Sequence, residues 1–149
     1  MFIVEFLLWT FCLYWLHRLG HKMPVVKDFH FDHHRFILKN DVDWHWNNLF
    51  LINDNLKSTI DLWLTEVIPT LIISFILGAW WLSIFYYIWA ATIQERIEHR
   101  STFDLPFLTS GKWHLIHHTN PKANYGLFFP IWDMLFGTYE STHEKFHSR

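Results

Sequence analysis

Residues 67–94 read VIPTLIISFILGAWWLSIFYYIWAATIQ, a run of 28 residues without a single Asp, Glu, Lys or Arg. A helix needs about 20 apolar residues to cross a bilayer, so this run can form one long tilted span or two short helices in a hairpin. The whole chain has 149 residues, of which 51% are hydrophobic and 17% are charged. Those charges are too few for an ordinary water-facing surface, and we expect much of the surface to face lipid.

The positions of the positive charges indicate the topology. All 12 Lys and Arg lie in three blocks, at residues 18–57, 96–122 and 145–149. Lys and Arg beside membrane helices favour the cytoplasmic side, so an even number of crossings must separate the first two blocks. We therefore predict an all-α integral membrane protein with three short membrane helices, the second and third forming a hairpin that turns at Gly78 and Ala79. The predicted spans are residues 2–16, 62–77 and 80–97.

The polar parts of the chain are rich in histidine. We predict that residues 17–61 and 98–149 form a cytoplasmic helical cap of one domain covering residues 1–149, in a bacterial inner membrane or a eukaryotic endoplasmic reticulum. Residues 35–61 mix Asn and Asp with Trp and Leu, which is typical of a segment lying along the membrane interface. A soluble helical protein is disfavoured, because the uncharged helix would be apolar all round.

Composition also excludes several classes of site. The single Cys cannot form an internal disulfide or a cysteine-based zinc site. The formal net charge is −2 and no basic block is present, so we expect no nucleic-acid partner.

Nine of the 12 histidines follow spacings that place imidazoles together on a helix. They are His17 and His21 in HRLGH, His30, His33 and His34 in HFDHH, His99, and His114, His117 and His118 in HLIHH. Such clusters are expensive to bury beside a membrane unless something pairs with them, and a metal does that. The number of imidazoles exceeds what one tetrahedral zinc takes and suggests two ions held mainly by nitrogen.

Iron is the metal whose redox chemistry suits a site at the edge of a bilayer, although zinc or copper could replace it in a purified sample. A haem with two axial histidines is a different possibility. It would need paired single histidines deep in the predicted spans, and those spans contain none.

The order of the motifs resembles the fatty acid hydroxylase / sterol desaturase superfamily of integral-membrane di-iron oxygenases. The resemblance covers about residues 15–140 and includes NYG at 124–126 and WDMLFGTY at 132–139, after the three histidine motifs. It implies a minimal-length member in which the nine histidines bind two Fe ions. It also implies that O2 oxidises an unactivated C–H bond of a lipid-like substrate from the bilayer, a fatty acyl chain, sterol or related molecule. Two electrons would come from an external donor, a ferredoxin or a small haem protein with its reductase.

One position departs from the pattern of that superfamily. Relatives often carry a further histidine four residues before the one that matches His99, and this chain has Glu95 there. A carboxylate is a legitimate iron ligand, so we predict that Glu95 coordinates or bridges the irons. The alternative is a carboxylate paired with Arg96 or Arg100.

Other polar residues are candidates for contacts around the ligands. We predict that four of them hydrogen-bond to ligand imidazoles, namely Asp32, Glu98, Asn124 and Asp133, and that Tyr125 lines the cavity. We place His45, His143 and His147 outside the site. The aromatic side chains of the hairpin are predicted to position the substrate, and they are Trp80, Trp81, Tyr86, Tyr87 and Trp89.

The residues leave several functions open. The leading one is hydroxylation of a lipid chain, and desaturation on the same site is the nearest alternative. A carotenoid-type ring hydroxylase is a further alternative. A non-catalytic membrane protein that binds metal or haem, including a relative that has lost turnover, belongs to a different class.

Overall fold

The computed structural model describes residues 1–105 and 107–141, so the predictions for His143 and His147 lie outside the described residues. Every regular element in those two ranges is helical, which confirms the all-α part of the predicted fold class. The helices are α1 Phe2–Gly20, α2 Pro24–Lys39, α3 Leu56–Leu77, α4 at residues 81–97, α5 Lys112–Thr119 and α6 Ile131–Leu135, with a short 3-10 turn at Trp46–Phe50.

Two of these helices, α1 and α3, are long and apolar enough to cross a membrane. Their outer faces are apolar, with Ile72, Phe75 and Ile76 of α3 all exposed. The third predicted segment, α4, is helical but shorter. The number of crossings and the side on which the cap lies therefore stay predictions.

The chain reverses direction at the predicted turn between α3 and α4. Gly78 ends α3 with a φ of 64°, a left-handed conformation that favours glycine. Ser83 then donates to Ser74 across the hairpin, with 2.8 Å between the two Oγ atoms.

Two helices begin or end at residues other than those predicted. Helix α3 begins at Leu56 because the Asn55 side chain accepts from the Ser58 amide at 2.8 Å and caps the helix. The last part of residues 35–61 is therefore continuous with the first arm of the hairpin. Helix α1 continues to Gly20, so His17 lies in its last turn.

Each arm of the hairpin contains one π-helical turn near the histidine-rich end of the molecule, at Trp63–Val67 in α3 and at Ala90–Gln94 in α4. These turns bring polar side chains into contact, since Gln94 Nε2 lies 3.4 Å from Glu66 Oε2. Such turns are frequent at functional sites. The core beneath them is apolar and aromatic, and the buried Trp9 indole donates to Thr70 Oγ1 at 3.0 Å, which ties α1 to α3.

Candidate metal centre

The nine histidines singled out by their spacing meet in two adjacent groups. Cluster A contains His17, His21, His30, His34 and His117, and cluster B contains His33, His99, His114 and His118. Within each cluster the potential ligand atoms lie within 4.8 Å of one another. The imidazoles of His34 and His118 stack with ring centroids 4.2 Å apart, so the two clusters share a boundary.

Helix geometry explains how each HxxHH motif contributes to both clusters. Residues four apart differ by about 40° around a helix, whereas residues three apart differ by about 60° in the opposite sense. In α2 the outer pair, His30 and His34, faces cluster A and His33 faces cluster B. In α5 the outer pair faces cluster B and His117 faces cluster A. HFDHH therefore contributes two histidines to cluster A and one to cluster B, whereas HLIHH contributes one to cluster A and two to cluster B.

The Nε2 atoms of cluster A are crowded around His30. Its Nε2 lies 3.1 Å from Nε2 of His17 and 3.0 Å from those of His21 and His34. The Nδ1 atoms of two of these rings point outward, since His17 Nδ1 donates to the Tyr125 carbonyl at 2.8 Å and His30 Nδ1 donates to Asp61 Oδ2 at 2.8 Å. In the neutral rings the inward nitrogens then carry lone pairs that face each other. A cation between them would turn this repulsion into coordination.

The spacing of these nitrogens fits a metal with more than four ligands. Two nitrogens bound at about 2.1 Å and at right angles are separated by about 3.0 Å, whereas tetrahedral ligands are separated by about 3.4 Å. Another pair in cluster A, Nε2 of His21 and His117, is 3.1 Å apart, and Nε2 of His114 and His118 in cluster B are 2.9 Å apart. The donor set therefore suits a metal with more than four ligands better than it suits tetrahedral zinc.

The surroundings also keep the imidazoles in the form that binds metals. Burial and neighbouring imidazoles hold the pKa of five ring groups outside the predicted spans well below the usual value, those of His33, His34, His114, His117 and His118. A neutral imidazole has a free lone pair, so protons compete weakly with a metal for these nitrogens.

Main-chain carbonyls orient two of the candidate ligands. His117 Nδ1 donates to the Ala123 carbonyl at 2.6 Å, and His17 Nδ1 donates to that of Tyr125. The ring of Tyr125 also packs against His21, with centroids 5.4 Å apart. Residues 123–126, which contain the NYG motif, thus fix which nitrogen of each ring would face a metal.

Asp133 holds that segment in place. It is fully buried, its Oδ1 accepts from the Tyr125 amide at 2.8 Å and from Thr138 Oγ1 at 2.7 Å, and its Oδ2 accepts from the Gly126 amide at 2.8 Å. Asn124 Nδ2 donates to the Trp113 carbonyl at 3.2 Å. This corrects the prediction for Asn124 and Asp133, whose side chains support the carbonyls that bond to the imidazoles and do not bond to the imidazoles themselves.

Asp32 is also corrected. Its carboxylate pairs with Lys57 and Arg35 on the surface rather than with an imidazole. The carboxylate that does bond to one of the nine histidines is Asp61, which the sequence analysis does not identify because its segment contains no histidine motif.

The predicted carboxylates Glu95 and Glu98 are both buried beside cluster B. Glu95 Oε2 lies 3.8 Å from His99 Nδ1, and Glu98 Oε1 lies 4.0 Å from His114 Nε2. Burial and the neighbouring Glu66 carboxylate raise the pKa of Glu98 well above its usual range. Both carboxylates therefore face cluster B.

A narrow cavity separates the two clusters from the hairpin. Five ligand histidines line it, together with polar side chains of α3 and α4 that include Asp61, Thr65, Glu66 and Gln94. The volume that the centre of a water-sized sphere can occupy is about 20 Å³. That is room for about one water molecule, so the cavity as it stands does not admit a larger molecule.

Replacing Asp61 with Asn is expected to weaken metal binding by about 10- to 100-fold, because outer partners of ligand histidines typically contribute that much. The Asn amide cannot accept the His30 proton as strongly as the carboxylate does. Titration of the protein with a divalent metal measures the effect. Asp32→Asn is the control, since Asp32 belongs to a surface ion pair. Equal affinities in the two variants would contradict the role of Asp61.

Comparison with known proteins places these features in a family. The sequence model of the family described as fatty acid hydroxylase matches residues 2–138. A Delta(7)-sterol 5(6)-desaturase of Aspergillus fumigatus is 27% identical over 93% of this chain and 37% of its own length. A Delta(7)-sterol 5(6)-desaturase of Eremothecium gossypii is 30% identical over 96% of this chain and 39% of its own length. A cholesterol 25-hydroxylase-like protein of Danio rerio is 29% identical over 89% of this chain and 52% of its own length.

The chain thus spans between about a third and a half of the length of these curated relatives. No solved structure gives a significant match.

Proposed function

The chain belongs to the fatty acid hydroxylase family, and from this membership we propose that it is a membrane-bound di-iron oxygenase that hydroxylates an unactivated C–H bond of a lipid-like substrate. The observation that carries the proposal is the arrangement of nine imidazoles in two touching clusters with ligand nitrogens about 3 Å apart. Relatives described as sterol desaturases and as a cholesterol 25-hydroxylase-like protein support a lipid substrate.

In this proposal one iron binds in cluster A and the other in cluster B. When bound, the irons would supply the activation of O2 and the oxidation of the C–H bond, at a cost of two electrons per O2. The chain itself holds the ligand rings in fixed orientations through Asp61 and the carbonyls of Ala123 and Tyr125. The described part of the chain contains no group that supplies electrons, so an external donor, a ferredoxin or a small haem protein with its reductase, completes the reaction.

The substrate is proposed to enter from the bilayer side of the cavity, between the arms of the hairpin. Tyr86 of the hairpin contacts a residue that lines the cavity, since its hydroxyl donates to Glu66 Oε2 at 2.9 Å. Trp80 and Trp81 lie at the turn, at the other end of α4. We therefore propose that these two side chains contact either the distant end of a long lipid or the membrane interface.

Metal content and spectrum of the protein, purified anaerobically in detergent, test the proposal. We expect about two irons per chain and no haem absorption band, as the donor set of two clusters requires. With O2, a reductase system and membrane lipids, the loaded protein should form an oxidised lipid. Protein that binds no iron, even after reconstitution with Fe2+, would exclude this function.

Desaturation is the second candidate, favoured by the names of the relatives that are sterol desaturases. The two reactions differ in the product, which is an alcohol in hydroxylation and an alkene in desaturation. Mass spectrometry of the product separates them. A protein that only stores metal would bind the irons and leave both O2 and lipid unchanged.

A further inference from the structure

The two clusters differ in the number of donors they offer. Cluster A has five imidazoles and cluster B has four. In cluster B both ring nitrogens of His99 are buried and have no hydrogen-bond partner among the described residues. A metal with more than four ligands would therefore need another donor near His99.

Glu95 is the side chain that offers such a donor. It lies one helical turn before His99, and its Oε2 is 3.8 Å from His99 Nδ1. The residue is only 6% exposed, and Oε2 has no hydrogen-bond partner within residues 1–105 and 107–141. A buried carboxylate without a cation or a donor is costly, and an ion in cluster B would remove that cost.

The neighbouring basic side chains do not neutralise Glu95. The Arg96 guanidinium lies over the Trp44 ring, 4.8 Å from its centroid. Arg100 pairs with Asp43 at 2.7 Å. The alternative in which Glu95 pairs with one of these arginines is therefore not what the structure contains.

Two other glutamates, Glu66 and Glu98, line the same cavity, and neither has a buried oxygen that lacks a hydrogen-bond partner among the described residues. Glu66 Oε2 accepts from the Tyr86 hydroxyl. Of these three glutamates, Glu95 is the one whose oxygen is both buried and free for a metal.

Charge balance favours the same residue. Neutral imidazoles contribute no charge, so two divalent ions would bring four positive charges into a buried site. Carboxylates in contact with the ions offset that charge, and iron accepts a carboxylate together with imidazoles.

We propose that Glu95 is the fifth protein ligand of the metal in cluster B, an inference that rests on the proposed function. The two metals are then chemically different, one bound by five imidazoles and the other by four imidazoles and a carboxylate. This asymmetry gives the two ions different affinities and different spectra.

Metal analysis and Mössbauer spectroscopy of 57Fe-loaded protein test the assignment. Unchanged protein should hold two irons per chain with two distinct signals. Glu95→Gln keeps the size of the side chain but removes its charge, and should bind the second iron about tenfold or more weakly, with loss of one signal. Glu95→His restores an imidazole donor and should hold both irons. Glu66→Gln, in the same cavity, is the matched control and should also hold both.

The outcomes separate this inference from the proposed function. Two irons of unchanged affinity in Glu95→Gln, or loss of an iron in Glu98→Gln alone, would overturn the role of Glu95 and leave the oxygenase intact. Loss of one iron in Glu95→Gln with no lipid product from the unchanged protein would support the ligand and overturn the function. Fewer than two irons in the reconstituted, unchanged protein would overturn both.

Discussion

Replacing His34 with alanine is expected to remove the metal from cluster A and to lower turnover by about a thousandfold or more. His34 Nε2 lies 3.0 Å from Nε2 of His30 at the centre of the cluster. A catalytic metal contributes several kcal/mol to the transition state, and each 1.36 kcal/mol corresponds to about tenfold in rate. Iron content and the rate of lipid oxidation measure the two effects in one preparation.

His34 separates loss of a ligand from loss of the fold. Its Nδ1 has no hydrogen-bond partner among the described residues, and its Nε2 contacts another imidazole, that of His30, so the substitution breaks no bond to the main chain or to a carboxylate. The metal-free variant should therefore unfold at nearly the same temperature as the metal-free parent. His45→Ala is the control, because the His45 side chain is 61% exposed and lies outside both clusters. A His34→Ala variant with full iron content and turnover would be incompatible with the metal centre described above.

The spacing of the histidines predicted much of the site because helix periodicity is a local property. HFDHH and HLIHH each form part of a helix, and their spacing alone determines which rings share a face. The sequence could not indicate that the first and last histidines of one motif share a cluster with the second histidine of the other motif. That pairing depends on how α2 and α5 pack, and packing is a tertiary property.

The partners of the ligands were harder to predict for a physical reason. Two of them are main-chain carbonyls, at Ala123 and Tyr125, and every residue has a carbonyl. Their positions depend on the left-handed conformation of Asn124, with a φ of 53°, and on distant hydrogen bonds. The third partner, Asp61, is separated from His30 by 31 positions in the sequence. The π-helical turns of the hairpin likewise have no recognised sequence pattern in this chain.

Replacing Asp133 with alanine is expected to destabilise the protein by about 3–5 kcal/mol and to weaken metal binding as a consequence. The substitution leaves the buried amides of Tyr125 and Gly126 unpaired, at a cost of about 1–3 kcal/mol each. The loop of residues 123–126 would then no longer hold in place the Tyr125 carbonyl, which accepts a hydrogen bond from His17 Nδ1. The thermal midpoint of the metal-free protein in detergent and the affinity for Fe2+ check the two parts of this prediction.

The same loop offers a second test that leaves the carboxylate in place. A methyl group at Gly126 would lie 2.8 Å from Asp133 Oδ2 and 2.6 Å from the Phe129 carbonyl, closer than atoms can pack. Gly126→Ala should therefore resemble Asp133→Ala, with lower stability even without metal, whereas His34→Ala should lose metal and keep its stability. Asp32→Ala removes only the surface ion pairs with Arg35 and Lys57, which contribute little to stability, and should match the parent. If Asp133→Ala and Gly126→Ala unfolded at the same temperature as the parent, Asp133 would not be the residue that holds residues 123–126 in place.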